Sequence, residues 1–155
     1  MVLIQMSPIP GPAPTHNSAT PCSAVAFVER LIGQPYEDVG LHCWELTRQC
    51  QREVFGRELP LVLDAPESLL AKVRLMRRRH VFEGWQQVPA PQHGAVVFLT
   101  LNGHGAADGA CHSGTWLDLD GGGLLHTDRG HGVVFEGLAE LAVRNWTELS
   151  FHLPI

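Results

Sequence analysis

Cysteine is scarce in this sequence, and its spacing excludes the commonest structural uses of the residue. No two cysteines form a CxxC pair, and nothing matches the spacing of a zinc ribbon. A chain of 155 residues that is 45% hydrophobic and 17% charged is expected to form one globular core. Such a core buries about 70% of the unfolded surface and needs neither a disulfide nor a structural metal. The thiols are therefore available for other chemistry, in what we expect to be a reducing compartment; they are Cys22, Cys43, Cys50 and Cys111.

The sequence is also poor in basic residues and has no long apolar run at its start. A net charge of -5 argues against general affinity for nucleic acid, because neutralising phosphates requires a basic face. The one basic run, from Lys72 to His80, has no interleaved aromatic residues and is typical of a solvated helix end. The opening MVLIQMSPIPGPAP lacks the basic start and apolar stretch of a secretory signal. We therefore expect no nucleic-acid partner, no membrane association and a cytoplasmic location.

Two segments differ in composition. Residues 1–21 are rich in Pro, Ser, Thr and Ala without periodicity, which predicts a mobile N-terminal arm. Residues 22–155 are expected to form a single domain that begins with helices. Ser23 is placed to cap a first helix that runs through Ile32 and stops at Gly33, a second helix should run from Cys43 to Gly56, and a third should begin at Pro66.

The pattern changes to a period of two from Gln87 onward. Short β-rich runs follow, separated by Gly, Asp and Asn clusters. The expected strands are Ala95 to Leu101, Ser113 to Leu119, Gly123 to Thr127, Gly132 to Phe135 and Leu149 to Leu153. Helices first and strands second predict an α+β domain, with the N-terminal helices packed on a largely antiparallel sheet of five to six strands.

Cys43 is the thiol best placed for nucleophilic catalysis. It lies in the first turn of the second helix, where unpaired backbone N–H groups and the helix dipole favour a thiolate. Cys50 lies further along the same helix and is expected to be a small buried core residue. Cys22 and Cys111 border loops and have no such rationale.

Two histidines are candidates for the base that a catalytic thiol requires. His112 begins a predicted strand, and His126 lies on the next strand across the turn DLDGGG, so the two rings could be cross-strand neighbours. An imidazole held by a second polar side chain keeps one tautomer, as a general base must. Strand periodicity alone does not separate this interpretation from that of two ordinary polar residues.

The segment LIGQPYEDVGLHCWELTRQCQREVFGRELP resembles the nucleophile segment of the NlpC family of papain-like cell-wall peptidases, especially members associated with phage tail assembly. The family's Gly-x-Pro-Tyr element and its cysteine are matched by Gly33, Pro35, Tyr36 and Cys43. QHGAVVFL is similar to the first core strand, HSGTWLDL to the histidine strand, and GLLHT to the strand that bears the third polar residue. GVVFEGLAELAVRNWTELSFHLPI is similar to the closing segment of the phage-type members, so the resemblance covers about residues 23 to 155.

The resemblance implies a papain-like fold and hydrolysis of amide bonds in peptidoglycan stem peptides, without a cofactor. Cys43 would attack the carbonyl, His112 would carry the proton, and His126 would orient His112. Tyr36 and Glu45 would lie at the substrate groove, with the Tyr36 hydroxyl near the oxyanion. The phage-type members imply tail proteins as partners and a phage-like particle as an alternative location.

Three residues depart from the family pattern. His42 stands where the family usually has Asp, and Ala95 stands where an acidic residue typically follows Gly94. Glu45 replaces a small residue, and its carboxylate could narrow the groove, select a cationic substrate or oppose thiolate formation.

Two other functions remain open from the sequence. The departures are compatible with a non-catalytic assembly or binding module that keeps the fold. A metal-binding protein is a further alternative, since imidazole and carboxylate groups are concentrated in one region, although no HExxH pair is present. That region contains His104, Asp108, His112, His126 and His131.

Overall fold

The computed structural model of the chain describes residues 22–61, 84–101 and 112–155. Within these residues the fold is α+β. The helices are α1 Ala24–Leu31, α2 Cys43–Phe55 and α3 Leu138–Val143. The strands are β1 Trp85–Val88, β2 Val96–Leu101, β3 His112–Leu117, β4 Gly123–Asp128, β5 Gly132–Glu136 and β6 Trp146–Pro154.

The six strands form one sheet in the order β1-β6-β2-β3-β4-β5, and every neighbouring pair is antiparallel. Strands β2 to β5 follow one another as a meander, and β6 returns to lie between β1 and β2. The predicted antiparallel sheet is thus confirmed. Strands β3, β4 and β5 are consecutive neighbours in this order, which matters for the site.

The two predicted N-terminal helices are confirmed, with the expected signals at their ends. Ser23 caps α1, since its hydroxyl accepts a hydrogen bond of 3.2 Å from the Ala26 backbone N–H. Helix α2 ends at Gly56, whose φ of 65° is the left-handed conformation that a residue without a Cβ adopts most readily.

Both faces of the central strands are buried. On β3, Leu117 packs with Phe27 and Leu46 of the two helices, whereas its neighbour Trp116 packs with Val97 and Phe151 on the other face. Successive side chains of a strand point to opposite faces, so α1 and α2 cover one side of the sheet. Helix α3 contributes Leu141 to the second core. The sheet is therefore an interior layer, and polar groups on β3 and β4 are buried with it.

Three elements depart from the sequence expectation. Strand β1 and helix α3 were not predicted, and β6 begins at Trp146 rather than Leu149. Helix α3 has only six residues, and its N-cap Gly137 makes no side-chain hydrogen bond, so it carries little sequence signal. In β6, Glu148 has a φ of 50°, which interrupts the period-two pattern.

Some sequence predictions fall outside the described residues. These are the arm 1–21, the helix predicted from Pro66 and the basic run that follows it. None of the helices in the described part of the chain is long and apolar enough to cross a membrane.

Candidate active site

Cys43 is the first residue of α2, and only 6% of it is exposed. The preceding residue, His42, is the N-cap, and its Nδ1 accepts a hydrogen bond of 3.4 Å from the Glu45 backbone N–H. This is the task that Asp commonly performs at a helix start. His42 therefore caps the helix start, next to the position where a thiolate would form.

Hydrogen bonds fix α2 along strand β3. The Thr47 hydroxyl donates to the Cys43 carbonyl at 2.8 Å and shares a 3.3 Å hydrogen bond with the Ser113 hydroxyl. One helical turn later, Gln51 Nε2 donates to Thr115 Oγ1 at 3.3 Å. Four residues of helix rise about 6 Å and two residues of strand about 6.6 Å, so helix and strand run in the same direction. The first residues of the two elements, Cys43 and His112, consequently lie at the same end of the pair.

His112 is 4% exposed, and its ring is held from two sides. Its Nε2 lies 2.8 Å from Nδ1 of His126, with the two rings nearly perpendicular at 83°. The indole of Trp146, on β6, is stacked on the His112 ring at 4.4 Å between centroids and an angle of 14°. The predicted proximity of the two histidines is confirmed, and the stacking fixes the plane of His112.

His126 is fully buried and has a second polar partner that the sequence did not reveal. Its Nε2 lies 2.9 Å from Oε2 of Glu136, at the end of β5. Val134 is opposite His126 in the register, and Glu136 lies two residues further along on the same face. Each of three neighbouring strands thus contributes one member of a hydrogen-bonded chain from His112 through His126 to Glu136.

Arg144, the C-cap of α3, completes this chain. Its Nη1 donates to both carboxylate oxygens of Glu136 at 2.8 Å, and its Nη2 donates to Asp128. Burial by itself would raise the pKa of Glu136, but the hydrogen bonds and charges of His126 and Arg144 lower it to about 2. Glu136 is therefore an ionised acceptor at neutral pH.

Tyr36 lies in the segment that leads into α2. Among the described residues its buried hydroxyl has no hydrogen-bond partner, and the Arg129 guanidinium lies 5.6 Å from the ring centroid. Burial raises the pKa of Tyr36, and the nearby charge of Cys43 raises it further, against the opposing effect of Arg129. The predicted role of Tyr36 at the substrate groove stays a prediction.

The segment before Tyr36 is anchored to β5. The backbone N–H of Gly33 donates to the Val133 carbonyl, and the N–H of Val133 donates to the Gln34 carbonyl, each at 2.8 Å. At Gly132 a Cβ would lie only 2.3 Å from the Gln34 oxygen, so this close approach requires glycine.

Glu45 and Ala95 are the two other residues that depart from the family motif. The Glu45 carboxylate accepts hydrogen bonds from Arg48 and Gln49 of its own helix. The positive charge of Arg48 therefore partly compensates the negative charge that Glu45 brings to the start of α2. Its predicted role in substrate binding stays a prediction. Ala95 is fully buried in the core cluster of Val97 and Trp116, where an acidic side chain would be costly.

The other thiols have different surroundings. Cys50, on α2, is fully buried in the core cluster that contains Phe27 and Leu46. Burial raises the pKa of its thiol to about 12. This confirms the expectation of a core residue. Cys22 is partly exposed ahead of α1, and Cys111 lies outside the described residues.

Within residues 22–61, 84–101 and 112–155, no group of three or more His, Cys, Asp or Glu side chains is arranged to hold a metal ion. His131 is instead paired with Asp128 at 3.2 Å. The predicted ligands His104 and Asp108 fall in a segment that the structure does not describe.

Comparison of the chain with protein-family models, with curated proteins and with solved structures finds no match.

Proposed function

We propose that the protein is a cysteine peptidase of papain-like fold that hydrolyses amide bonds in peptidoglycan stem peptides. The observation that carries the proposal is the buried His112–His126 pair, 2.8 Å apart, at the end of the sheet where α2 begins with Cys43. A thiol at a helix start, an imidazole and a third group that orients the imidazole are the parts that thiol catalysis needs. The resemblance of residues 23 to 155 to the NlpC family supplies the substrate class.

In the proposed reaction, the Cys43 proton passes to His112 and the thiolate attacks the amide carbonyl. The tetrahedral intermediate collapses when His112 returns the proton to the departing amine, which leaves a thioester on Cys43. A water molecule then gives its proton to His112 and attacks the thioester, releasing the carboxylic acid and the thiol. Each proton that His112 accepts is thus returned within the cycle.

The oxyanion formed in both steps would be stabilised at the start of α2. The Cys43 backbone N–H lies in the first turn of α2, where the helix dipole favours a negative charge. The Tyr36 hydroxyl would be a second donor, since it is buried and the charge of Cys43 acts on it. No step of this reaction requires a cofactor.

A second candidate is a non-catalytic assembly or binding module with the same fold. The observation in its favour is the low exposure of the reacting residues, 6% for Cys43 and 4% for His112. The resemblance to phage-tail members makes tail proteins the proposed partners of such a module, and of the peptidase as well.

Digestion of purified peptidoglycan separates the two candidates. The wild-type chain is expected to release fragments whose masses show one added water at an amide bond, and Cys43→Ala is expected to release none. Cys50→Ala is the matched control, because it removes another buried thiol from the same helix without touching the site. Equal fragment release by wild type and Cys43→Ala, or no release by wild type, would contradict the peptidase and favour the module.

A further inference from the structure

The tautomers of the two site histidines are determined by the group at the far end of their hydrogen-bonded chain. Arg144 donates to both carboxylate oxygens of Glu136, so the carboxylate is ionised and can only accept hydrogen bonds. The 2.9 Å contact with His126 therefore requires a proton on Nε2 of that ring. A neutral imidazole with its proton on Nε2 presents a lone pair at Nδ1.

The same reasoning carries over to the next ring. Because Nδ1 of His126 is an acceptor, the 2.8 Å contact requires that Nε2 of His112 donate. A neutral His112 then has its lone pair on Nδ1, the nitrogen that a base at this site would use toward Cys43. All hydrogen bonds in the chain consequently point from His112 toward Glu136.

We propose that Glu136 is a positioning residue that sets the direction of this chain, so that Nδ1 of His112 is the proton acceptor. The catalytic meaning of the inference rests on the proposed peptidase function, but the tautomers themselves do not. Arg144 is part of the device, since its two contacts to Glu136 hold the carboxylate in place and its own groups can only donate. Trp146 holds His112 in the plane that aligns it with His126.

Replacing Glu136 by Gln should reverse the chain. Gln has one oxygen and one amide NH2, and Arg144 can bond only to the oxygen. Arg144 Nη1 contacts both carboxylate positions, of which Oε2 also accepts from His126. When the amide oxygen takes the Oε1 position, the NH2 of the Glu136→Gln variant faces His126 and donates to Nε2, which moves the His126 proton to Nδ1. That proton points at Nε2 of His112, so Nδ1 of His112 becomes a donor and can no longer accept the thiol proton.

Nitrogen-15 NMR of the full chain tests the inference without requiring turnover. The spectra are recorded at about pH 8, where histidine is mostly neutral. A Cys43→Ala background removes any proton exchange with the thiol. We expect Nε2 protonated and Nδ1 unprotonated in both His112 and His126, and a population with the reverse in both rings after Glu136→Gln.

Asp128→Asn is the matched control. It removes the same charge from the same arginine, but Asp128 bonds to Arg144 and His131 rather than to His126, so both tautomers should persist. The inference is overturned if the Cys43→Ala protein has Nδ1 of His112 protonated, or if His126 carries both protons. The spectrum of the protein with Glu136 intact decides the matter even if the Glu136→Gln variant fails to fold.

Activity gives a second readout in the protein with Cys43 intact. Loss of the correct tautomer is expected to lower turnover on the order of 10²-fold or more for Glu136→Gln, with Asp128→Asn near wild type. Glu136→Asp keeps an acceptor-only carboxylate and should restore part of the rate. Correct tautomers in a protein that never cleaves peptidoglycan would refute the peptidase and leave the inference intact, whereas wrong tautomers in an active enzyme would do the opposite.

Discussion

At the scale of single residues, His112 and His126 are expected to differ in how well each can be replaced. His112→Ala removes the proton carrier, for which nothing nearby substitutes, and should lower activity by about 10²–10⁴-fold. His126→Ala removes an orienting group whose hydrogen bond a water molecule can partly replace, so its loss should be smaller. Rates of peptidoglycan digestion by the two variants measure the difference. Equal, small losses would contradict the assigned roles.

The reactivity of the individual thiols provides another residue-scale prediction. Limiting iodoacetamide at about pH 6, where an ordinary cysteine with a pKa of about 8.5 reacts slowly, should label Cys43 first. Cys50 should stay unlabelled in the native protein, since it is fully buried and its pKa is raised to about 12. Peptide mass spectrometry identifies the labelled residue, with Cys22 and Cys111 expected to react little.

His112→Ala supplies the control for this labelling experiment. It should raise the pH at which Cys43 labelling begins, because the imidazolium that stabilises the thiolate is lost. Uniform labelling of all four cysteines, or an inert Cys43 up to alkaline pH, would argue for the non-catalytic module.

Sequence reasoning reached His112 and His126 but not Glu136, and the reason is physical. The histidines flank a short turn, so a period of two is enough to bring them together. Glu136 reaches His126 only through the register of β4 and β5, which places it diagonally across two strands. The sequence shows only an acidic residue at the end of the strand that follows His126. Its contact with His126 can be predicted only when the pairing register of β4 and β5 is known.

At the scale of secondary structure elements, the hydrogen bonds between α2 and β3 should control the position of Cys43. Thr47→Val keeps the shape of the side chain but loses the hydroxyl that links the Cys43 carbonyl to Ser113. Because the partner Ser113 is left buried without this bond, we expect a stability loss of about 1–3 kcal/mol and a fall in the rate of peptidoglycan digestion.

Thr47→Ser is the matched control for this element. It keeps the hydroxyl and loses only a methyl group, so its activity should stay near wild type, with a stability loss of about 1 kcal/mol. Chemical denaturation and digestion rates on both variants make the comparison. A Thr47→Val protein as active as Thr47→Ser would show that these bonds do not align the site.

The elements divide by how much of their signal is local. Helix α2 was predictable from its apolar stripe and from Gly56, and α1 from Ser23, because caps and periodicity belong to the segment itself. Helix α3 and the first part of β6 were not, since their form depends on packing against the sheet. Strand β1 pairs with the far end of β6, a partner that the sequence pattern does not reveal.

At the scale of the whole molecule, one ion-pair network joins the C-terminal helix to the sheet. Arg144 at the end of α3 contacts Asp128 on β4 and Glu136 on β5, and Glu136 also holds His126. These groups are only slightly exposed, with side-chain exposures of 14% to 18% for Arg144, Glu136 and Asp128. Removing one partner of such a poorly exposed network costs more than breaking a surface ion pair, and the network is sensitive to protonation.

Acid should therefore weaken the folded protein through Glu136. The pKa of this carboxyl is about 2 in the folded protein and 4.5 in its ordinary state, so protonation favours the unfolded chain. Its contribution to stability is complete above about pH 4.5 and is lost as the pH falls toward about 2. The free energy of unfolding of wild type should exceed that of Glu136→Gln at pH 7, and the difference should shrink across this window. Urea unfolding followed by tryptophan fluorescence measures the free energy of unfolding of both proteins.

Glu53→Gln is the matched control, because Glu53 forms a more exposed ion pair with Arg30. The small difference in stability between this variant and wild type should vary little with pH. A difference between wild type and Glu136→Gln that stays constant from pH 5 to pH 2 would show that the Glu136 network does not couple protonation to folding.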